Sequence, residues 1–317
     1  MIVVAHQIYR FGPAFSRLRS EPIIDVSSRE ELLEHLPHAT VLAISNLWRT
    51  EFLERAPHLQ FIQSTSAGMD WFELPPISRR GIRLASAQTS NEAAVAEHAI
   101  ALMLSLTRHL HYARDNQAQR LWRTPASKPD CREAEVNGKT LTVVGLGRIG
   151  RRVVRVAKAL GMRTIGVRRT PRDEEDGPDE VVSSDRLLEA ISRADVVVLT
   201  CPLTVETDKL IGIEQLSAMK TSGLLINVAR GRVVDQSALI SALQSGVIAG
   251  AALDCFVEEP LPPSSPLWGY SNVLITPHSA GNTQRYEDNV AAILAENIAR
   301  LEAGASRLLN QVNLQEE

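Results

Sequence analysis

Hydrophobic positions in this chain fall into short runs, bounded by polar turns, that alternate with stretches of helical spacing. Up to residue 90 the runs predict strands at Ile2–Ala5, Ile23–Val26, Val41–Ile44, Phe61–Gln63 and Arg83–Ala85. Helical patterns around Arg29–His35 and Thr50–Arg55 lie between them. That alternation predicts a small α/β unit on a parallel sheet. One long helix is predicted from about Asn91 to Asn116. Over Ala93–Leu106 its apolar residues nearly encircle the axis, so burial on several sides is expected, at a domain junction or a subunit interface. The polar stretch Gln117–Asn137, with Pro125 and Pro129, reads as an irregular linker.

From Lys139 the alternation resumes on a larger scale. Strands are predicted at 140–144, 163–167, 195–199, 223–228, 248–253 and 273–276, with helices at 148–160, 185–192, 213–219 and 235–244. Six strands with intervening helices make a doubly wound sheet of Rossmann type. A last amphipathic helix, about 284–303, follows Pro277-His278. A chain of 317 residues exceeds one modest core and suits two domains.

Composition narrows the class. A hydrophobic fraction of 44% and a charged fraction of 22% are those of a soluble globular protein. The net charge of −3 offers no basic field for nucleic acid or an anionic membrane. Cys131, Cys201 and Cys255 are widely spaced and odd in number, which argues against a disulfide framework or a metal site and fits a reducing cytoplasm. The N-terminus lacks a charged segment leading into a long apolar run, so no signal peptide is expected. The apolar stretch Ala93–Leu106 contains Glu97 and His98 and is too short to span a bilayer.

The strongest chemical signal follows the strand at 140–144, where the chain reads Gly145-Leu146-Gly147-Arg148-Ile149-Gly150. A glycine-rich turn between strand and helix lets backbone amides and a helix N-terminus approach a pyrophosphate. An acid normally closes the next strand and holds a ribose 2′-hydroxyl, but here that strand ends in Arg168-Arg169. Arginines at that place suit a 2′-phosphate, so NADP is expected over NAD, with NAD still possible. The opposing reading makes Arg168, Arg169 and Arg172 a solvated basic loop balanced by Asp173, Glu174, Glu175 and Asp176.

Further motifs follow in order: Val95–His98, Cys201-Pro202-Leu203-Thr204, Asn227–Gly231, Ala252–Pro260 and Thr276–Gly281. Together they resemble the signatures of the D-isomer-specific 2-hydroxyacid dehydrogenases over nearly the whole chain, most closely the glyoxylate/hydroxypyruvate reductases. The resemblance implies a Rossmann domain, residues 93–284, inserted into a smaller flavodoxin-like α/β substrate domain, residues 1–92 plus 285–317, with the active site in the cleft between. It implies a catalytic Arg230, Glu259 and His278. It places a dinucleotide along Gly145, Gly147, Arg148, Ile149, Gly150, Arg168, Arg169, Cys201, Pro202, Thr207, Val228, Ala229, Arg230, Asp254, His278 and Gly281. It also implies a substrate-carboxylate loop at Ser66, Ala67, Gly68, Met69 and Asp70, with Arg230 and His278 completing the substrate contacts.

The chemistry of these residue types agrees. Reduction of a 2-keto acid needs a group for the carboxylate and carbonyl, and an acid for the developing alkoxide. Histidine exchanges a proton near neutral pH, a neighbouring carboxylate favours its charged form, and arginine grips a carboxylate with a planar fork. Each of the three follows a predicted strand, at the carboxyl end where doubly wound sheets bind ligands. Trp48, Arg49, Met69, Trp71 and Phe72 are candidates for the substrate side-chain pocket, or else packing residues. His98 is expected to be a hydrogen-bonded interior histidine. Trp122 in the linker faces either a partner subunit, in a homodimer, or the linker itself.

Formate- and phosphite-oxidising relatives carry glutamine and lysine where this chain has Glu259 and the Ser66–Gly68 loop, so both are disfavoured. Phosphoglycerate dehydrogenases often add a regulatory tail, for which no room is expected here. The reading is an NADPH-dependent 2-keto acid reductase acting on glyoxylate or hydroxypyruvate. The alternatives are an NAD-linked dehydrogenase of other substrate range, or a dinucleotide-sensing corepressor-like protein.

Overall fold

The computed structural model describes residues 1–129, 132–170 and 177–314. Cys131, Arg172, Asp173, Glu174, Glu175 and Asp176 lie outside the described residues. The chain forms two compact units, Met1–Asn91 with Asn282–Glu317, and Glu92–Gly281.

The first unit carries a five-stranded parallel sheet of β1 (Ile2–Ala5), β2 (Ile23–Val26), β3 (Val41–Ile44), β4 (Phe61–Ser64) and β5 (Arg83–Ala85), in the order β2-β1-β3-β4-β5. This is the flavodoxin-like order, with its switch point between β1 and β3. Strands buried on both faces read as unbroken apolar runs, and β1 and β3 are buried throughout. One face is covered by α2 (Arg29–His35), α3 (Phe52–Arg55) and α4 (Leu74–Arg79), the other by α1 (Gly12–Ser16) and α11 (Tyr286–Glu302). The segments α1 and α4 escape the sequence reading. Gly12-Pro13 and Pro75-Pro76 look like turns, yet proline is tolerated in a first helical turn, where its missing N–H is no loss.

His6, just past β1, shows how the unit depends on protonation. Its Nδ1 accepts the backbone N–H groups of Ile8 at 3.1 Å and Tyr9 at 3.0 Å. Burial, and then the charge of Arg10, hold its pKa below the ordinary imidazole value. A depressed histidine contributes stability that is present above its unfolded pKa of about 6.5 and lost as pH falls. Asparagine offers Oδ1 near the place of Nδ1 and does not titrate. His6→Asn is therefore expected to lose less stability than the parent between about pH 7.5 and about pH 5.5 in urea titrations. Equal losses would remove His6 from the acid response.

The second unit holds β6 (Thr140–Val144), β7 (Arg163–Arg168), β8 (Glu180–Ser183), β9 (Val196–Leu199), β10 (Leu224–Asn227), β11 (Gly250–Leu253) and β12 (Val273–Ile275), all parallel, in the order β12-β11-β10-β9-β6-β7-β8. This is the doubly wound order, and among the described residues it has seven strands rather than the six expected. The addition, β8, is an edge strand with only Val181 and Val182 as an apolar signal, paired to β7. Helix α7 (Arg148–Ala159) buries Val153, Val154 and Ala157, spaced to form one face. Helices α8 (Leu187–Arg193), α9 (Ile213–Ala218) and α10 (Gln236–Gln244) stand where helical spacing placed them.

The long helix expected over 91–116 is two helices. Helix α5 (Glu92–Thr107) ends before His109, which takes a left-handed φ of +53°, and α6 (Leu110–Ala118) starts anew. Burial is confined to α5; α6 has no buried residue. No glycine or proline marks the break, which is why helical periodicity ran through it.

Candidate active site

The carboxyl ends of the second unit's strands carry the motif residues. After β6 the chain turns through Gly145, at φ +101°. A Cβ there would lie 2.6 Å from the Cys201 nitrogen and 2.7 Å from its Cα. A Cβ at Gly150 would lie 2.2 Å from the Gly145 oxygen. Neither position admits a side chain. Gly147, which precedes the first turn of α7, has nothing within 4 Å of the Cβ it lacks. The turn is thus packed tightly on its protein side and open at the helix N-terminus, the arrangement that fits a pyrophosphate. Arg148, exposed, opens α7, and Ile149 follows half-buried.

Arg168 closes β7 and is half-buried, and Arg169 beside it is exposed. The loop after β9 is self-braced: the Thr207 hydroxyl donates to the Pro202 carbonyl at 2.7 Å and accepts the Thr204 N–H at 2.7 Å. The Glu206 carboxyl in that loop is held below its usual range mainly by the Thr204 hydroxyl, with the charge of Arg169 adding to it. Burial pushes the Cys201 thiol up to about 11, so it is a small apolar filler rather than a nucleophile.

After β10, the buried Asn227 closes a turn on itself. Its Oδ1 accepts the Ala229 N–H at 3.0 Å and its Nδ2 donates to the Arg230 carbonyl at 3.0 Å. Val228 and Ala229 are buried, Arg230 is half-buried, and Arg230 Nη1 donates to the Ala229 carbonyl at 2.8 Å. Gly231 then packs on the segment after β11, where a Cβ would lie 1.9 Å from the Phe256 carbonyl carbon. The Phe256 N–H donates to Glu259 Oε1 at 2.9 Å, and the other oxygen, Oε2, lies 2.7 Å from His278 Nδ1. A continuous line of contacts thus joins the turn of Arg230 to Glu259 and His278. The buried Cys255 thiol feels the same convergence. Its pKa is raised by burial first and then by the charges of Asp254 and Glu259, with Arg230 opposing.

Asp254, 2% exposed, anchors the segment that carries His278. Its oxygens accept from the Thr276 hydroxyl at 2.6 Å, the Ser279 N–H at 2.8 Å and the Ala280 N–H at 2.9 Å. His98 on α5 reaches the same group, with Nε2 3.0 Å from the Thr276 hydroxyl, as an interior histidine would. His278 has φ +50°, a conformation that costs non-glycine residues about 1–2 kcal/mol. The anchored segment imposes it. With Nδ1 donating to Glu259, Nε2 is the nitrogen left to exchange a proton outside the pair, and the side chain is 46% exposed. Gly281 closes the segment, half-buried.

Sequence motifs contained Asn227, Gly231 and Thr276 but gave them no role. Their work is in side-chain-to-backbone bonds and close approaches. The only hint was a polar residue or glycine at each strand end.

The expected carboxylate loop lies in the first unit, after β4. The Ser66 N–H is already engaged there, by Ser45 Oγ at 2.9 Å and Ser64 Oγ at 3.1 Å, which leaves Ala67, Gly68 and Met69 as the amides to consider. Among the pocket candidates, Trp48 and Phe72 are buried and pack together with ring centroids 5.4 Å apart; Met69 packs against the same core; Trp71 and Arg49 are exposed.

Comparison with known proteins agrees with this architecture. The family described as "D-isomer specific 2-hydroxyacid dehydrogenase, NAD binding domain" matches residues 100–280. A D-3-phosphoglycerate dehydrogenase of Methanocaldococcus jannaschii is 35% identical over 92% of the chain, which spans 55% of that protein's length. A glyoxylate reductase of Thermofilum pendens is 37% identical over 86% of the chain and 80% of its own length. The crystal structure of the TT0316 protein from Thermus thermophilus superposes with a TM-score of 0.86 at 33% identity, covering 99% of this chain and 100% of that one.

Proposed function

Because the chain belongs to the D-isomer specific 2-hydroxyacid dehydrogenases, oxidoreductases that use a nicotinamide dinucleotide, we propose that it reduces a small 2-keto acid, of glyoxylate or hydroxypyruvate type, to the D-2-hydroxy acid with NADPH. The observation that carries this reading is the His278–Glu259 pair at 2.7 Å, with Glu259 held from behind by the Phe256 amide and Arg230 on the adjoining turn.

When bound along Gly145–Gly150, Cys201–Pro202 and Val228–Ala229, the dinucleotide supplies a hydride to the keto carbon. The residues of the chain do the rest. Arg230 grips the carboxylate and polarises the adjacent carbonyl. His278 delivers the proton on Nε2 to the carbonyl oxygen as charge develops there. Glu259 accepts from Nδ1 and so fixes the orientation of the ring. Asp254 keeps the His278 segment in place. In the first unit, the amides of Ala67, Gly68 and Met69 are assigned to the substrate carboxylate.

Arg168 and Arg169 support NADPH, because they stand where an acid would otherwise hold the ribose 2′-hydroxyl. A charge-assisted hydrogen bond contributes about 1.5–3 kcal/mol, or roughly ten- to hundredfold in discrimination. NADPH should exceed NADH in kcat/KM by about that factor, and Arg168→Ser should erase most of the difference. Equal efficiencies in the parent would take the 2′-phosphate away from these arginines.

Relatives named glyoxylate reductase and D-3-phosphoglycerate dehydrogenase both match well. The decisive assay is therefore a panel of 2-keto acids in reduction and 3-phosphoglycerate in oxidation, each with both cofactors. Turnover of glyoxylate or hydroxypyruvate above the rest supports the proposal; turnover of none supports the sensing alternative. We further propose a cytoplasmic homodimer. Leu110, Leu121 and Trp122, the last 94% exposed, offer an apolar surface for a second subunit.

A further inference from the structure

The end of β4 holds a cluster of hydroxyl groups that neither the catalytic reading nor the motifs account for. Ser45, Ser64 and Thr65 are all buried. Ser45 Oγ lies 2.8 Å from Thr65 Oγ1 and 3.2 Å from Ser64 Oγ. Both Ser45 and Ser64 accept the Ser66 N–H, and Ser64 Oγ donates to the Ser66 carbonyl at 2.8 Å. The same carbonyl accepts the Ala87 N–H at 3.0 Å. From the other side, the Tyr286 hydroxyl at the start of α11 donates to the Thr65 carbonyl at 2.6 Å. Burial raises its pKa to about 12, so it stays a donor through the physiological range. The Tyr286 ring is fixed in turn among Tyr9, Phe11 and His6, at centroid distances of 5.0, 5.8 and 6.3 Å.

We propose that Ser45 and Tyr286 are positioning residues for substrate: they fix the backbone at Thr65–Ser66 so that the amides that follow, Ala67 to Met69, present themselves to the substrate carboxylate. The inference rests on the reading of that loop as the carboxylate site. Burying several hydroxyls together is a costly way to fill a core, since each must be satisfied, and alanines would fill the volume without that demand. What the hydroxyls add is direction. Both polar groups of the Ser66 backbone and the Thr65 carbonyl are bonded from two sides, which fixes the orientation of the chain as it enters the loop. Amides that bind a ground-state carboxylate contribute uniform binding, which appears in KM and not in kcat.

Ser45→Ala removes one acceptor of the Ser66 N–H, and Tyr286→Phe removes the bond to Thr65 while keeping the ring in its aromatic cluster. Each lost hydrogen bond corresponds to about 0.5–1.5 kcal/mol, roughly two- to tenfold. Each variant should raise KM for the keto acid by about that factor, with kcat and KM for NADPH within about twofold of the parent. A purely structural role would lower the thermal midpoint and leave the keto-acid KM alone; that result in both variants overturns the proposal. Ala67→Pro, which deletes a loop amide, separates the two levels. If Ala67→Pro raises the keto-acid KM while Ser45→Ala and Tyr286→Phe do not, the positioning role fails and the loop assignment stands. If Ala67→Pro leaves KM unchanged, the carboxylate assignment itself fails.

Discussion

Replacing His278 by alanine is expected to lower kcat for keto-acid reduction about 10²–10⁴-fold, the range for loss of a positioned general acid, while KM for NADPH stays near its parent value. The size of the effect follows from how much of the structure is committed to this one ring. Asp254 accepts three hydrogen bonds from either side of the residue, His278 is held at a positive φ, and Glu259 fixes Nδ1 while its own second oxygen is held by the Phe256 amide. In the proposed mechanism, preorganisation of this kind leaves the proton a single outlet at Nε2. Glu259→Gln provides the companion measurement. Glutamine keeps the bulk but replaces the carboxylate oxygen that accepts from Nδ1, so kcat should fall while KM for NADPH stays near the parent value. Near-normal turnover of His278→Ala at neutral pH would remove the residue from the mechanism.

The strands were legible because parallel sheets covered on both faces demand continuous apolar runs, and Ile2–Ala5, Val41–Ile44 and Val196–Leu199 supply them. What escaped was short or unmarked. Strand β8 has two valines, α1 and α4 open on prolines, and His109 breaks a helix without glycine or proline. At the site, motif spacing placed Arg230, Glu259 and His278 after consecutive strands of the sheet, and strand order alone brings such loops to one edge. The supports were not legible, because they act through the main chain. Asn227 bonds to its own turn, Gly231 matters for the atoms of Phe256 it touches, and Asp254 anchors amides 25 and 26 residues away in sequence. Pattern in sequence reports which face a residue takes; it carries little about which backbone group a side chain meets.

Arg230 is the second residue whose loss should be severe, and the chemistry makes lysine a poor substitute. A guanidinium contacts a carboxylate and the neighbouring carbonyl with two parallel N–H groups, whereas an ammonium is a point charge without that fork. Removing one member of a desolvated, hydrogen-bonded charge pair costs about 2–5 kcal/mol, so kcat/KM of Arg230→Ala should fall by ~30- to ~5,000-fold at 1.36 kcal/mol per decade. Arg230→Lys should recover only a small part of this. Both kinetic constants should move if, as proposed, the residue binds the ground-state carboxylate and also stabilises charge on the carbonyl oxygen. The turn around Arg230 is also held by Asn227 and Gly231, so the backbone should survive loss of the Nη1 bond to the Ala229 carbonyl. That makes chemical rescue a fair test. Added guanidinium should restore part of the Arg230→Ala activity in a saturable way, while an equal concentration of ammonium should not. Undiminished kcat/KM in Arg230→Lys would show that charge alone suffices and that the fork has no part in recognising the keto acid.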